Sequence, residues 1–376
     1  MTSTPQIDEA RKQRKNLRLE AVLSNKPLLG PQTAHFDIAN ACNTRCTTCW
    51  DHSPHLLADR VPSAAWKRLK LPLARFKAVF DDLVDLGGLE QIILSGMGEP
   101  FLNDDIYDMV AHAHGAGVGV TIITNLLGAD LPRLLESPGQ LDLLTSICGV
   151  TEPVWHAFHA HPRPDGFARL TAQLEILKAR RFLPKHVQVI NNQNFHELVD
   201  MVRFTRHFPA RRVNFKFASL ANGTEAVALS PEQKERLLDD LIPRAQAFAH
   251  AFGLDTDLDD FATQIHLDDH ATAPIEEVGC FMGLMYTRIT VEGEVLFCCN
   301  TEVKVGHLDE IEDFGALWRG ERWQALRDSV RRGVYFKGCD QCGKYKQNVK
   351  WSQKLRATLP EADFARLLGR GPQEAP

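Results

Sequence analysis

The sequence predicts an α/β protein, a partial (β/α)6 barrel followed by a small α+β module, and three observations carry the prediction. From about residue 35 to 217, short β-rich runs alternate with amphipathic helical stretches, the order that builds a parallel sheet with crossover helices. The chain has 376 residues with 44% hydrophobic content, enough for a full core and for two domains. Of its nine cysteines, all but Cys148 fall into two clusters, one just after the first strand and one in the last hundred residues.

Six strand–helix units are expected, with strands at 35–38, 91–94, 118–123, 143–147, 187–190 and 213–217. Between the first two, Phe76, Val79, Phe80 and Leu83 recur at helical spacing and Gly87-Gly88 supplies the stop. After the fifth, Leu198, Met201, Val202 and Thr205 form a second core-facing stripe. Ser230-Pro231-Glu232-Gln233 reads as a capping box with Pro at the first helical position, opening a helix through about residue 252. The acidic stretch 255–260 reads as a surface loop. The expected organisation is an N-terminal extension over 1–34, the barrel over 35–229, a helical connector over 230–272 and the last module over 273–376.

Net charge is −5 with both signs interspersed, so no domain-wide basic field points to nucleic acid or an anionic membrane. The densest basic run, Arg11, Lys12, Arg14, Lys15 and Arg18, reads as the solvated face of an N-terminal helix. No apolar run has the length of a membrane span and no secretory signal opens the chain, so a cytoplasmic protein is expected. In a reducing compartment, clustered cysteines point to metal binding or catalysis rather than disulfides.

Cys42, Cys46 and Cys49 follow the first strand directly, which puts three thiols on a loop at the carboxyl end of the sheet, where α/β enzymes place their sites. Three thiolates leave one iron of a four-iron cluster without a protein ligand. The competing reading is a zinc knuckle in which Cys46 and Cys49 supply half of a tetrahedral site. C-x-x-x-C-x-x-C followed by an aromatic, here Trp50, resembles the signature loop of the radical S-adenosylmethionine superfamily. The resemblance implies a partial TIM-like barrel whose open iron is chelated by the amino and carboxylate groups of S-adenosylmethionine. One electron then cleaves that molecule to methionine and a 5′-deoxyadenosyl radical.

Further residues take expected roles from the same resemblance. Ser95-Gly96-Met97-Gly98-Glu99-Pro100, at the end of the second strand, is similar to the family's G-G-E-P loop and would bind the methionine amino group. Asn125, Ser146 and Asn191, at the ends of the third, fourth and fifth strands, would face the cofactor's ribose or carboxylate. Asn194 reads as a helix N-cap, and Arg163 is the candidate for the carboxylate-binding Arg that the family often places after the fourth strand. Cys148 reads either as a buried thiol or as a catalytic hydrogen donor or substrate contact. His52, His159, His161, Glu152 and Lys216 stand near loop ends as candidate bases.

Cys280, Cys298, Cys339 and Cys342 form the second set, with Cys298 closing a hairpin that turns at Glu292-Gly293. Together with Gly306-His307-Leu308 and Trp318, their arrangement resembles the auxiliary-cluster module called SPASM, or twitch in its shortened form. Four thiolates would saturate one auxiliary 4Fe-4S cluster, and a four-cysteine zinc site is the alternative. Cys299 reads as a spare thiol that could exchange with Cys298, and Trp318 and Trp323 read as the module's core. The resemblance implies two 4Fe-4S clusters, S-adenosylmethionine, and an external one-electron donor such as flavodoxin or ferredoxin. Only 34 residues precede the first strand, too few for a peptide-recognition domain. The expected activity is therefore oxidation or epimerisation of a small molecule such as a sugar or aminocyclitol. Peptide maturation is the alternative within this class, and a non-catalytic zinc-binding interaction protein the alternative outside it.

Overall fold

The computed structural model describes residues 4–160, 163–339 and 342–370. They fall into two compact units. One takes Asp37–Leu73 and Ile93–Thr272; the other takes the described residues up to Phe36, then Ala74–Ile92 and those from Ala273 on.

All six expected strands form, with ends shifted by one or two residues: β1 (Thr33–Asp37), β2 (Gln91–Ser95), β3 (Gly119–Thr124), β4 (Leu141–Ser146), β5 (Lys185–Ile190) and β6 (Arg212–Phe217). In the Asp37–Thr272 unit, β3, β4, β5 and β6 pair in parallel in that order. β3 is buried at all but one position, as a strand covered on both faces must be. Beneath β5 and β6, Ile190, Val213 and Phe215 pack on Leu198, Met201 and Val202 of the helix Leu198–Arg203.

The acidic stretch within the connector is not a plain surface loop. Asp255–Thr256 forms β7, parallel to β6, and Leu258–Leu267 is a helix. Between them Asp257 is buried, and its carboxylate accepts the Phe215 amide at 2.7 Å and the Asn214 side chain at 3.0 Å. That acid is consumed in finishing the sheet edge. The capping box forms as expected between Ser230 and Gln233. Its helix, however, widens into a π turn over Leu237–Leu241 before continuing as Ile242–Ala251. Pro243 lacks the amide that would close the ordinary turn there.

In the other unit, β8 (Tyr286–Ile289) runs parallel to β1, with His35 opposite Arg288. β9 (Glu294–Leu296) and β10 (Lys304–His307) continue antiparallel, and Gly293 turns the β8–β9 hairpin at φ +102°. Trp318 and Trp323 are fully buried with ring centroids 4.5 Å apart, and Arg327 lies 4.6 Å over Trp318. The helix Thr4–Ser24 carries the basic run, but Arg18 is not on a solvated face. It is 4% exposed and donates to the carbonyls of Gly88 at 2.6 Å and Gly30 at 3.4 Å. A side chain on Gly88 would strike it. Among the described residues no helix is long and apolar enough to cross a membrane.

Candidate active site and thiol clusters

The first cysteine loop is held entirely by backbone and side chains of its own unit. Leaving β1, the Ile38 amide donates to Ser95 at 2.8 Å, and the Gly98 and Glu99 amides return bonds to Ala39 at 3.0 Å and Ala41 at 2.8 Å. At Gly96 and Gly98 the chains touch: a Cβ would lie 2.1 Å from the Ala39 oxygen or 2.0 Å from the Ala41 oxygen. Small residues are therefore a packing requirement here. Farther on, the Arg45 and Thr47 amides donate to His159 and Phe158, the last carbonyls of the helix Glu152–His159.

Cys42, Cys46 and Cys49 are half-buried free thiols along this loop. Burial pushes all three up, Cys49 to about 11 and Cys46 well above its ordinary value, the latter raised further by Cys42 and Cys49. Buried Thr44, which sequence reasoning passed over, has its hydroxyl 3.5 Å from both the Cys42 and the Cys46 sulfur. A hydroxyl in the middle of the C-x-x-x-C spacing was the only signal for it. Three soft thiolates with a hydroxyl among them are a donor set suited to iron–sulfur chemistry, and they leave one iron open.

Glu99 braces the neighbouring loops. One carboxylate oxygen accepts the Thr124 hydroxyl at 2.5 Å and the Phe101 amide at 3.3 Å, and the other accepts the Asn125 amide at 2.8 Å. Burial raises its carboxyl to about 7 against those three bonds. The Asn125 side chain reaches Asn43 of the cysteine loop at 2.7 Å. Asn191 donates to Thr47 at 3.2 Å, and Thr47 to Gln193 at 3.0 Å. Residues expected near a cofactor from the ends of β2, β3 and β5 thus converge on one loop. Ser146 closes β4, half-buried, and Trp50 is 49% exposed with its indole donating to Ser219 at 2.8 Å.

Cys148 is buried just past β4 in a left-handed conformation, φ +53°. Its sulfur accepts the Val189 amide at 3.3 Å and donates to Val187 at 3.6 Å, while burial pushes the thiol up to about 12. Gln188 accepts its amide at 2.8 Å. Asn194 stands at the N-cap position of the short helix Phe195–Glu197 but makes no side-chain capping bond, because its oxygen accepts the Asn191 amide at 2.9 Å. Its side-chain amide donates to the carbonyls of Cys148 at 3.0 Å and Val189 at 2.8 Å.

Among the candidate bases, His52 is buried against the Asn40 carbonyl at 3.0 Å and His159 stacks on Trp155 at 4.2 Å. Glu152 and Lys216 are exposed, Arg163 pairs with exposed Asp165 at 3.2 Å, and His161 lies outside the described residues.

In the other unit, Cys280, Cys298, Cys299, Cys339 and Cys342 are all free. Burial pushes Cys280 up to about 12. Cys299 makes thiol hydrogen bonds with both Cys298 and Cys342, which draw the proton onto those two and leave Cys299 well below its ordinary value. Buried Asn348 donates nothing to the backbone it touches; its oxygen accepts the amide of Phe281, beside Cys280, at 2.9 Å.

This is the architecture of an α/β enzyme whose reactive loop offers three thiols. Residues 280–343 match the SPASM iron-sulfur cluster-binding domain. The chain is 23% identical over 312 residues to the AdoMet-dependent heme synthase of Methanosarcina barkeri, covering 79% of this chain and 85% of that one. It is 25% identical over 217 residues to the PqqA peptide cyclase of Ruegeria pomeroyi, 56% of this chain and 54% of the cyclase, so that match takes in about half of the relative. Its fold is similar to Streptococcus suis SuiB bound to S-adenosylmethionine, with a TM-score of 0.63, 16% identity and coverage of 92% of this chain and 78% of SuiB. Residues 280–343 are thus a SPASM domain, and the matches together support a radical S-adenosylmethionine enzyme that uses 4Fe-4S clusters and S-adenosylmethionine.

Proposed function

We propose that Cys42, Cys46 and Cys49 hold the cluster that cleaves S-adenosylmethionine, and that the resulting radical takes a hydrogen atom from a small organic molecule, which is thereby oxidised or epimerised. The observation that carries this reading is the convergence of the β2, β3 and β5 exits on the cysteine loop through Glu99, Asn125 and Asn191. Bound cofactor supplies the radical; the chain's task is to orient it and keep water away. In this reading Gly96, Met97 and Gly98 present backbone groups to the methionine end, Asn125, Ser146 and Asn191 line the nucleoside, and Trp50 borders the opening. Glu99 keeps these loops in register.

Cys280, Cys298, Cys339 and Cys342 hold the auxiliary cluster in the same proposal. Such a cluster would supply an acceptor for the one electron that leaves when the substrate, having given up a hydrogen atom, also releases a proton in the oxidation. A flavodoxin- or ferredoxin-type donor supplies the electron that begins each cleavage. A small-molecule substrate is supported by the long match to a heme synthase. Peptide maturation is the second reading, favoured by the shorter match to a peptide cyclase.

The test is anaerobic reconstitution with iron and sulfide, reduction, and measurement of 5′-deoxyadenosine. Absence of that product would support a zinc-binding protein instead. Deuterium transfer into 5′-deoxyadenosine from labelled small molecules, but not from peptides, is the result expected for the substrate class. Cys148 remains the candidate hydrogen donor, and a Cys148→Ala enzyme with intact clusters and unchanged turnover removes it from that role.

A further inference from the structure

A four-iron cluster closed by the protein needs four thiolates, and the SPASM region carries five free cysteines. The surplus follows from local geometry. Along a regular strand, neighbouring side chains point to opposite faces, so Cys298 and Cys299 would be separated. Here β9 ends at Leu296 and residues 297–299 bend, which releases both thiols from that alternation. The Cys299 sulfur reaches the CxxC segment: a Cβ on Gly343, beside Cys342, would lie 3.6 Å from it. Cys298 is the more buried of the pair, and its sulfur accepts the Asn300 amide at 3.5 Å. Arg288 donates to the Cys299 carbonyl at 3.4 Å and fixes the bend from the β8 side.

We propose that Cys299 is a fifth ligand of the auxiliary site, exchanging with Cys298 on the same iron. The inference rests on the reading that this thiol set holds an iron–sulfur cluster. In the exchange the iron–sulfur bond to Cys298 breaks, the bond to Cys299 forms, and the Cys299 proton passes to the Cys298 thiolate. No electron is gained or lost. The cluster thereby has two closed forms that differ in one ligand, one with its fourth sulfur buried and one with it nearer the solvent.

The test uses the full chain with Cys42, Cys46 and Cys49 replaced by Ala, so that only the second site assembles. Iron, acid-labile sulfide and zinc are counted after anaerobic reconstitution, and electron paramagnetic resonance is recorded on the reduced protein. Cys298→Ala is expected to keep the parent's iron with a shifted spectrum, whereas Cys298→Ala/Cys299→Ala loses it. Loss of iron in Cys298→Ala as complete as in the double variant overturns the exchange, provided circular dichroism shows the parent's fold; Cys298→Ser repeats the comparison with a side chain of nearly the same size. A parent that takes up zinc and no iron overturns the exchange together with the cluster reading, and the zinc count identifies that cause.

Discussion

Replacing Gly98 by Ala is the sharpest perturbation the active-site unit offers. The new methyl group would sit 2.0 Å from the Ala41 oxygen, 2.5 Å from its carbonyl carbon and 2.7 Å from the Asn40 carbonyl carbon. All three are backbone atoms, so no rotamer relieves the contact. Ordinary separation requires the two chains to part by more than 1 Å, roughly, judged from usual carbon contacts. That movement breaks the bonds from Gly98 to Ala39 and from Glu99 to Ala41. Each broken bond leaves a buried donor at a cost of about 1–3 kcal/mol, so the whole change costs about 2–6 kcal/mol. The cysteine loop and the loop after β2 then no longer share one geometry. S-adenosylmethionine affinity of the reconstituted enzyme, measured by equilibrium dialysis, is expected to fall at least tenfold, with a lower melting temperature. Gly115→Ala is the control, because that methyl meets nothing within 4 Å; it should leave binding unchanged and stability equal or slightly higher. A Gly98→Ala enzyme that binds and melts like the wild type refutes the close-approach argument.

Three further outcomes are expected. Glu99 titrates at about 7 in the fold against an ordinary 4.5, so the proton it retains stabilises the fold fully below about pH 4.5, and that contribution, about 3 kcal/mol, is lost as pH rises through 7. Unfolding free energies measured across this window should fall less steeply in Glu99→Gln, and parallel profiles would count against the assignment. Thr44→Val removes the hydroxyl shared by the Cys42 and Cys46 sulfurs, which should lower the midpoint potential of the first cluster by about 40 mV, equivalent to about 1 kcal/mol, with Thr44→Ser restoring it. An unchanged potential in redox titration would show that the hydroxyl donates elsewhere. Arg327→Ala empties the space over Trp318, orphans the Trp318 carbonyl and leaves that of Gly283 with the Trp323 indole as its donor; denaturation should show a loss of about 2–4 kcal/mol, and a loss under 1 kcal/mol would mean the tryptophans close the gap.

The strands were legible because their signal is local: β3 is a short, mostly apolar run, β6 alternates Val213, Phe215 and Phe217 with polar residues, and Gly87-Gly88 stops a helix at φ +71° and +88°. The capping box at Ser230 was legible for the same reason. Misread residues depend on distant partners. Asp257 looks like solvent-exposed acid until β6 lies beside it, and Arg18 looks like one of five surface cations until Gly30 and Gly88 present carbonyls to it. Asn194 has the composition of a cap, but the carbonyls of Cys148 and Val189 claim its amide. At the site, the thiols were visible by spacing, whereas Thr44, Thr47 and Gln193 were hidden, since Thr and Gln occur in loops for many reasons. Glu99 was visible by motif, but that it ties β2 to β3 required the coordinates.

The bonds that shape the cysteine loop, from Ile38 to Ser95, Glu99 to Ala41, Arg45 to His159 and Thr47 to Phe158, involve no sulfur. These four bonds run between backbone groups and make no use of a metal, unlike the contacts of small zinc modules that fold only around their ion. With Cys42, Cys46 and Cys49 as the ligands, loading of a cluster would release the protons that burial keeps on those thiols. Metal loading at this loop is therefore expected to tighten as pH rises.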